Sequence, residues 1–455
     1  MLFRWLFGLF FLLPICFSSP AMAQITPRIV SEPCRNVQNI SARELDQKMT
    51  SLRTTLDNLE KTRVSLSPDA KAQRQEHDKK IRAIQEALID LTFALECYRR
   101  DLQDDPVLIQ DAESGAGGAP PSRGPTRGGG PPVGTWAAIT TYYATNREWT
   151  GKEGYGSNRA QRLEYGRAEV SIPTSRRPGE LPVPTLWKLE LKPDPNKHFI
   201  LRNVEPLKGN AVRAALRSAL GSSDTKSVLL FVHGFNTTFD DVALRTAQLA
   251  HDLSFRGLPL FFSWPSAGNA RSYFRDEEMA QLSVPPFNQL LDDIAAVGAT
   301  DVYVIAHSLG NRIVTNAIKE RTRRPIPKIS ELLLAAPDVN EQIFREQIVP
   351  ALAAMKNTRR TIYASSNDVA LKAANIAHGF RRVGDAAGGV LTFAGYDTVD
   401  VTQAAPIIRS YGHSYVLDSP RVLDDIADTL IRRKPVTERG LVRTQVPPNT
   451  FWSLR

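Results

Sequence analysis

Apolar residues recur at Leu45, Met49, Leu52, Leu56 and Leu59, with gaps alternating between four and three, and the positions between them are charged or polar. A second run repeats the rhythm at Ile81, Ile84, Leu88, Leu91 and Leu95 and ends at Tyr98. Such spacing puts one apolar stripe along each of two helices. "SLSPD" at 65–69 interrupts them, with Ser67 suited to an N-cap and Pro68 to the first helical position. Two helices joined by so short a break bury their stripes against each other as an antiparallel, coiled-coil-like hairpin, assigned to residues 24–103. A dimeric coiled coil with the same seams is the alternative. The stretch "DAESGAGGAPPSRGPTRGGGPPVG" that follows is too poor in apolar residues to order itself, so 104–134 reads as a flexible linker.

From Trp136 the pattern changes to short apolar runs alternating with amphipathic ones. "AAITTYYATN" and "YGRAEVSIP" read as strands, antiparallel ones that begin a sheet. "SVLLFVHGFN" is a near-continuous apolar strand, as expected where both faces of a sheet are covered, "LPLFFSWPS" is another buried strand, and "DVYVIAH", "ELLLAAPDV" and "RTIYASSND" read as further strands. Helices fall between them. One begins at Thr238, whose spacing to Asp241 fits a capping box, and one ends at Gly298. The last is "SPRVLDDIADTLIRR", with Ser419 as its cap. Regular strand–helix alternation implies an α/β fold, a mainly parallel, doubly wound sheet over 135–435, with 436–455 left as a C-terminal tail.

Composition changes this picture little. The chain has 455 residues, 42% of them hydrophobic and 23% charged, as in ordinary globular proteins. Its formal charge of +9 comes from scattered Lys and Arg, with no basic run interleaved with aromatics, so no nucleic-acid partner is expected. The first residues matter more. "MLFRWLFGLFFLLPICFSSPAMAQ" carries Arg4, an apolar stretch to about Phe17 and then "AMA", which is the layout of a signal peptide over 1–23 cleaved after Ala23. An uncleaved anchor is the alternative. Ile15 before Cys16 is too bulky for a lipid-attachment site. The expected location is periplasmic or secreted, with no transmembrane span after cleavage. Removal of Cys16 leaves Cys34 and Cys97, which lie at near-equal distances on either side of Ser67. A hairpin brings them to one open end, where an oxidising compartment favours a disulfide. The hairpin itself offers a surface for a protein or envelope partner.

The chemistry concentrates in "YVIAHSLGNR", where Ser308 stands between a strand and a helix. In a nucleophile elbow such a serine occupies a strained turn, and G-x-S-x-G keeps the flanking residues small because strand and helix approach closely there. Gly310 meets that need, and Ala306 adds only a methyl group to it. A serine nucleophile needs a base held by a carboxylate. Downstream, His413 in a loop before the closing helix suits the base better than His378. Strand order favours Asp368 as the acid over Asp338, Asp397 and Asp400. An oxyanion hole would draw on the backbone N–H groups of Leu309 and Phe235, with Gly234 permitting close approach. His233 reads as a polar prop for that loop, and His307 as packing beneath the elbow. Trp264 and Tyr273 either wall an acyl pocket or pack the end of the sheet. No metal-ligand spacing and no phosphate-cradling loop is present, so neither metal nor cofactor is expected.

Taken together, "FVHGFNTTFDD", "FFSWPSAG", "VIAHSLGNR", "LLLAAPDVN", "YASSND" and "GHSY" resemble a bacterial α/β-hydrolase family of esterase/lipase-like proteins whose biological function is largely unassigned. The resemblance covers about 135–435 and implies the α/β-hydrolase fold, with a Ser308, Asp368, His413 triad. It reaches neither the signal segment, the hairpin nor the linker, and it supplies no substrate. The expectation is a serine esterase acting on a small acyl ester through an acyl-enzyme intermediate. A catalytically silent scaffold of the cell envelope is the alternative.

Overall fold

Ser227–Val232 form strand β4, and all six of its residues are buried. Parallel neighbours flank it on both edges, β5 (Leu258–Ser263) on one and β6 (Asp301–His307) on the other. Its side chains alternate between two separate hydrophobic clusters, Val228, Leu230 and Val232 entering one and Leu229 and Phe231 the other. A strand with no polar side therefore has no face in water.

The computed structural model describes residues 42–65, parts of 73–91, and 136–455 apart from 152–153, 184–192, 210, 270–271, 322–325, 405–412 and 447–448. The remaining strands are β1 (Trp136–Trp149), β2 (Tyr155–Pro173), β3 (Ile200–Leu207), β7 (Ile329–Ala335), β8 (Arg359–Ala364), β9 (Asp397–Asp400), β10 (Val442–Val446) and β11 (Asn449–Ser453). They make one 11-stranded sheet in the order β10-β11-β9-β8-β7-β6-β4-β5-β1-β2-β3. From β9 to β1 every pairing is parallel, while β1–β2, β2–β3 and β10–β11 are antiparallel. This mainly parallel sheet with helices between its strands is the α/β-hydrolase architecture.

Strand β1 is antiparallel to β2, as its sequence suggests, and it also runs parallel to β5. Residues 436–455, set apart from the sequence as a tail, carry the β10–β11 hairpin, which continues the sheet by pairing Trp452 with Val399. Helices α2 (Ala211–Ser222), α3 (Phe239–Asp252), α4 (Tyr273–Leu282), α5 (Val284–Val297), α6 (Gly310–Glu320), α7 (Val369–His378) and α8 (Pro420–Leu430) follow, α1 being the N-terminal Ala42–Ser65. Thr238 caps α3 with the full reciprocal box to Asp241, Gly298 ends α5 in the left-handed region, and the Ser419 hydroxyl caps α8.

Met49 of α1 and Ile81 are buried in one small cluster with Leu52, Leu59, Ile84 and Leu91, so the two heptad seams meet. The signal segment, Ser67, Cys34, Cys97 and the linker over 104–134 lie outside the described residues. What positions the site is the order of the central strands. The chain leaves β4 for β5 on one side and returns to β6 on the other, which opens a crevice at the carboxyl ends of β4 and β6.

Candidate active site

Ser308 follows β6 directly, precedes α6, and takes a φ of 53°, a left-handed conformation that side chains other than glycine seldom adopt. Its surroundings enforce the turn. The Ser308 N–H donates to Ala335 O at 3.0 Å, and its carbonyl accepts from Asn311 N at 3.1 Å and Asp338 N at 3.3 Å. The buried Asn311 amide donates to the carbonyls of Ser308 (3.0 Å), Ala306 (3.1 Å) and Ala335 (3.2 Å), stitching the elbow to β7. Sequence reading passed over Asn311. Its only signal was an amide side chain on the apolar face of an amphipathic helix.

The small residues around the serine answer to close backbone contact. A Cβ at Gly310 would stand 2.5 Å from His233 O and 2.6 Å from Val232 O. One at Gly234 would stand 2.6 Å from the Ser308 Cβ. Ala306 is buried between Val232 and Leu334 on its neighbouring strands, and its methyl group is accommodated there.

The structure brings Asp368 and His413 together. Asp368 caps α7, its Oδ1 accepting from Leu371 N at 3.0 Å, and both its oxygens face His413 Nδ1 at 2.9 and 2.8 Å. An N–H at Nδ1 donating to the carboxylate leaves Nε2 as the free acceptor. The buried Ser308 Oγ and His413 Nε2 have no hydrogen-bond partner among the described residues. Burial works against the His413 imidazolium, yet the Asp368 charge and hydrogen bond raise its pKa above the ordinary histidine value.

The other candidates are placed elsewhere. Asp338 is buried against Tyr273 OH (2.6 Å), Arg312 Nη2 (3.1 Å) and Arg382 Nε (3.1 Å). Burial alone would raise its pKa, but the two guanidiniums bring it down to about 2. His378 ends α7, its Nε2 lying 3.0 Å from Glu277 Oε1. Asp400 binds its own loop through Thr402 N at 3.0 Å.

Among the described residues, no acceptor meets the N–H of Phe235 or of Leu309. Leu309 stands at the start of α6, where the helix dipole adds positive potential. His233 holds the first of these two loops. Its Nδ1–H donates to Gly234 O at 2.7 Å, its Nε2 accepts from Trp264 N at 3.1 Å, and its ring stacks on the Trp264 indole at 4.9 Å. Burial lowers its pKa well below the usual value and keeps it neutral.

A cavity of about 310 Å³ opens beside the site, lined by Phe235, Asn236, Thr237, His307, His413 and Leu417 among others. Neither Trp264 nor Tyr273 is part of its wall. Trp264 is fully buried under the β4 loop, which decides between its two sequence readings in favour of packing, and the Tyr273 hydroxyl is committed to Asp338. His307 also differs from expectation. It lies beside His413 rather than under the elbow, with ring centroids 4.7 Å apart, and its Nε2–H donates to His413 O at 3.0 Å. The reason is strand alternation, which puts His307 on the same face of β6 as Tyr303 and Ile305, where Tyr415 and Val416 also pack. Burial, then the neighbouring His413, push the His307 pKa down to about 3, so it stays neutral. A larger cleft of about 720 Å³ between β2, β3, α2 and α5 borders neither Ser308 nor His413.

Among the described residues no group of three or more His, Cys, Asp or Glu is arranged to hold a metal ion, and no helix is long and apolar enough to cross a membrane. Residues 208–434 match the model of a family described as an alpha/beta hydrolase of unknown function (DUF900). No curated protein and no solved structure matches the chain.

Proposed function

We propose that this chain, whose residues 208–434 belong to an α/β-hydrolase family of unassigned function, is an exported serine hydrolase of carboxylic esters. One observation carries the reading. His413 turns Nδ1 to both oxygens of Asp368, while its Nε2 and the Ser308 hydroxyl are each buried with no hydrogen-bond partner among the described residues. An imidazole so fixed in tautomer can take a proton at Nε2 and nowhere else.

In this mechanism Ser308 Oγ attacks the ester carbonyl and its proton passes to His413 Nε2. Asp368 stabilises the imidazolium through the same bond that orients the ring. The carbonyl oxygen gathers negative charge and is met by the N–H groups of Phe235 and Leu309. Collapse of the tetrahedral species expels the alcohol, which takes the proton from His413, and leaves an acyl group on Ser308. Water then enters, loses a proton to His413 Nε2, and releases the acid. A cavity of about 310 Å³ next to His413 favours a small acyl or alcohol group. Export rests on the apolar segment before Ala23.

A fluorophosphonate probe tests the proposal, because it phosphonylates only an activated serine. The wild-type chain should be labelled at Ser308, and Ser308→Ala should neither label nor turn over p-nitrophenyl esters. An unlabelled wild-type protein, or a folded Ser308→Ala variant with normal turnover, would contradict it.

A further inference from the structure

Arg147, near the end of β1, is only 1% exposed. It lies ahead of the segment that the family match covers, which begins at residue 208. The ladder between β1 and β2 shifts register between Thr145 and Arg147, and such a bulge re-aims the side chain that follows it. The guanidinium then reaches across the carboxyl ends of two parallel strands. Its Nε–H donates to Ser263 Oγ at 2.8 Å, its Nη1 to Gly156 O and Ser266 O at 3.0 Å each, and its Nη2 to Thr237 O at 2.7 Å.

All four acceptors are neutral. A charge taken out of water in this way is costly to the fold, and burial is the main reason the Arg147 pKa drops to about 9. What the arrangement gives in return is geometry. Thr237 O belongs to the loop of Phe235, whose N–H meets no acceptor among the described residues and whose neighbour Gly234 packs against Ser308. Asn236 of that loop sits at a φ of 54°, a left-handed turn that asparagine tolerates. The loop's other ties come from the same cluster. Thr237 N donates to Ser266 Oγ at 3.1 Å, Asn236 N donates to Asp276 Oδ2 at 3.3 Å, and Ser266 Oγ donates to Asp276 at 2.5 Å. Arg147 and Asp276 thus hold the loop from its carbonyl and amide sides together.

We infer that Arg147 is a positioning residue for the oxyanion hole, fixing the direction of the Phe235 N–H through Thr237 and Ser266. Only a rigid fork of donors spans these acceptors at once, and a lysine ammonium in the same place has one nitrogen to offer. The inference rests on the esterase reading for its catalytic consequence. For the state of the loop it needs no reaction.

The test compares Arg147→Lys with wild type in the full chain. A misaimed oxyanion donor costs turnover rather than substrate binding, so kcat should fall at least about tenfold with KM within about twofold. Affinity for a trifluoromethyl ketone, which mimics the tetrahedral species, should fall in step with kcat. Amide exchange should quicken in the peptide over 233–238 and not elsewhere. Wild-type kcat and inhibitor affinity in a folded variant would overturn the inference, as would losses that merely follow the folded fraction. If Arg147→Lys does not fold, Ser266→Ala removes one tie alone and is judged by the same readings. If the wild-type chain hydrolyses no ester, the esterase reading fails. The exchange comparison then decides alone: faster exchange confined to 233–238 supports the role, and unchanged or global exchange refutes it.

Discussion

Two buried aspartates stand near the elbow, and their partners separate what they do. Among the described side chains Asp368 hydrogen-bonds His413 alone, while Asp338 is locked between Arg312, Arg382 and Tyr273. Asp368→Asn should therefore cost turnover by roughly 10⁴, the scale seen when a triad imidazole loses its orienting carboxylate, with little loss of stability. Asp338→Asn should do the reverse, leaving the buried Arg382 without its anion and Arg312 with Glu277 alone, at a cost of about 3–5 kcal/mol. Kinetics and denaturant melts on both variants check this, and a larger turnover loss in folded Asp338→Asn would exchange the roles. The pH dependence follows from the same contacts. Because the pKa of His413 lies above 6.5, the base is protonated on the acid side, and kcat/KM should fall as pH drops through a value above that of free imidazole. Asp338, depressed to about 2, contributes stability that is present above the usual aspartate range and is lost as pH falls toward 2. Titrating the rate and the melting temperature separates the two effects. Strand order in the sequence already favoured Asp368, since it ends the second strand after the elbow. The ion-pair cage of Asp338 was not legible, because its members come from four distant segments. For the same reason Arg147 went unnoticed.

Among the elements, the elbow makes the sharpest demand on sequence. Gly310→Ala would press a methyl group to 2.5 Å from the His233 carbonyl, so α6 must lift off β4. Overpacking of this kind costs about 1–3 kcal/mol, and the shifted Ser308 should lose activity beyond what the lost stability explains. A thermal melt alongside kcat measures both, and a Gly310→Ala chain with normal kcat would show that the contact is relieved elsewhere. The position of Ala306 carries no such penalty, which is why the alanine in place of the usual glycine does no harm. Strands β4, β5 and β6 were readable because each is a run of buried apolar residues. Strand β3 was not, since none of its eight residues is fully buried and an edge strand need not show an apolar face. The β10–β11 hairpin hid for a related reason, being short and at the other edge. Helix α2 was legible and missed: Val212, Leu216 and Leu220 repeat every four residues on its buried side.

Across the whole molecule, the family match begins at residue 208 while the sheet begins at Trp136, so the first three strands and the buried Arg147 lie outside the matched segment. The coiled-coil-like seams before them are a separate matter. A Cys34–Cys97 disulfide closing the hairpin should add about 4 kcal/mol to that unit in the chain-entropy estimate, less any strain. Ile376 of α7 packs against the hairpin cluster, but the hairpin is otherwise tied to the sheet through the Gly/Pro-rich stretch, so reduction should loosen the helices and spare esterase activity. Non-reducing peptide mapping tests the bond, and free thiols or a bond between chains would refute it. The proposed hydrolysis passes through a covalent step at one atom, Ser308 Oγ. The direct measurement is to quench the enzyme with acid during turnover of a p-nitrophenyl ester and map the acyl group by peptide mass spectrometry. An acyl adduct on Ser308, accumulating in wild type and greatly slowed in Asp368→Asn, is the predicted result. Rapid turnover with no acyl adduct at Ser308, or an adduct on another residue, would contradict it.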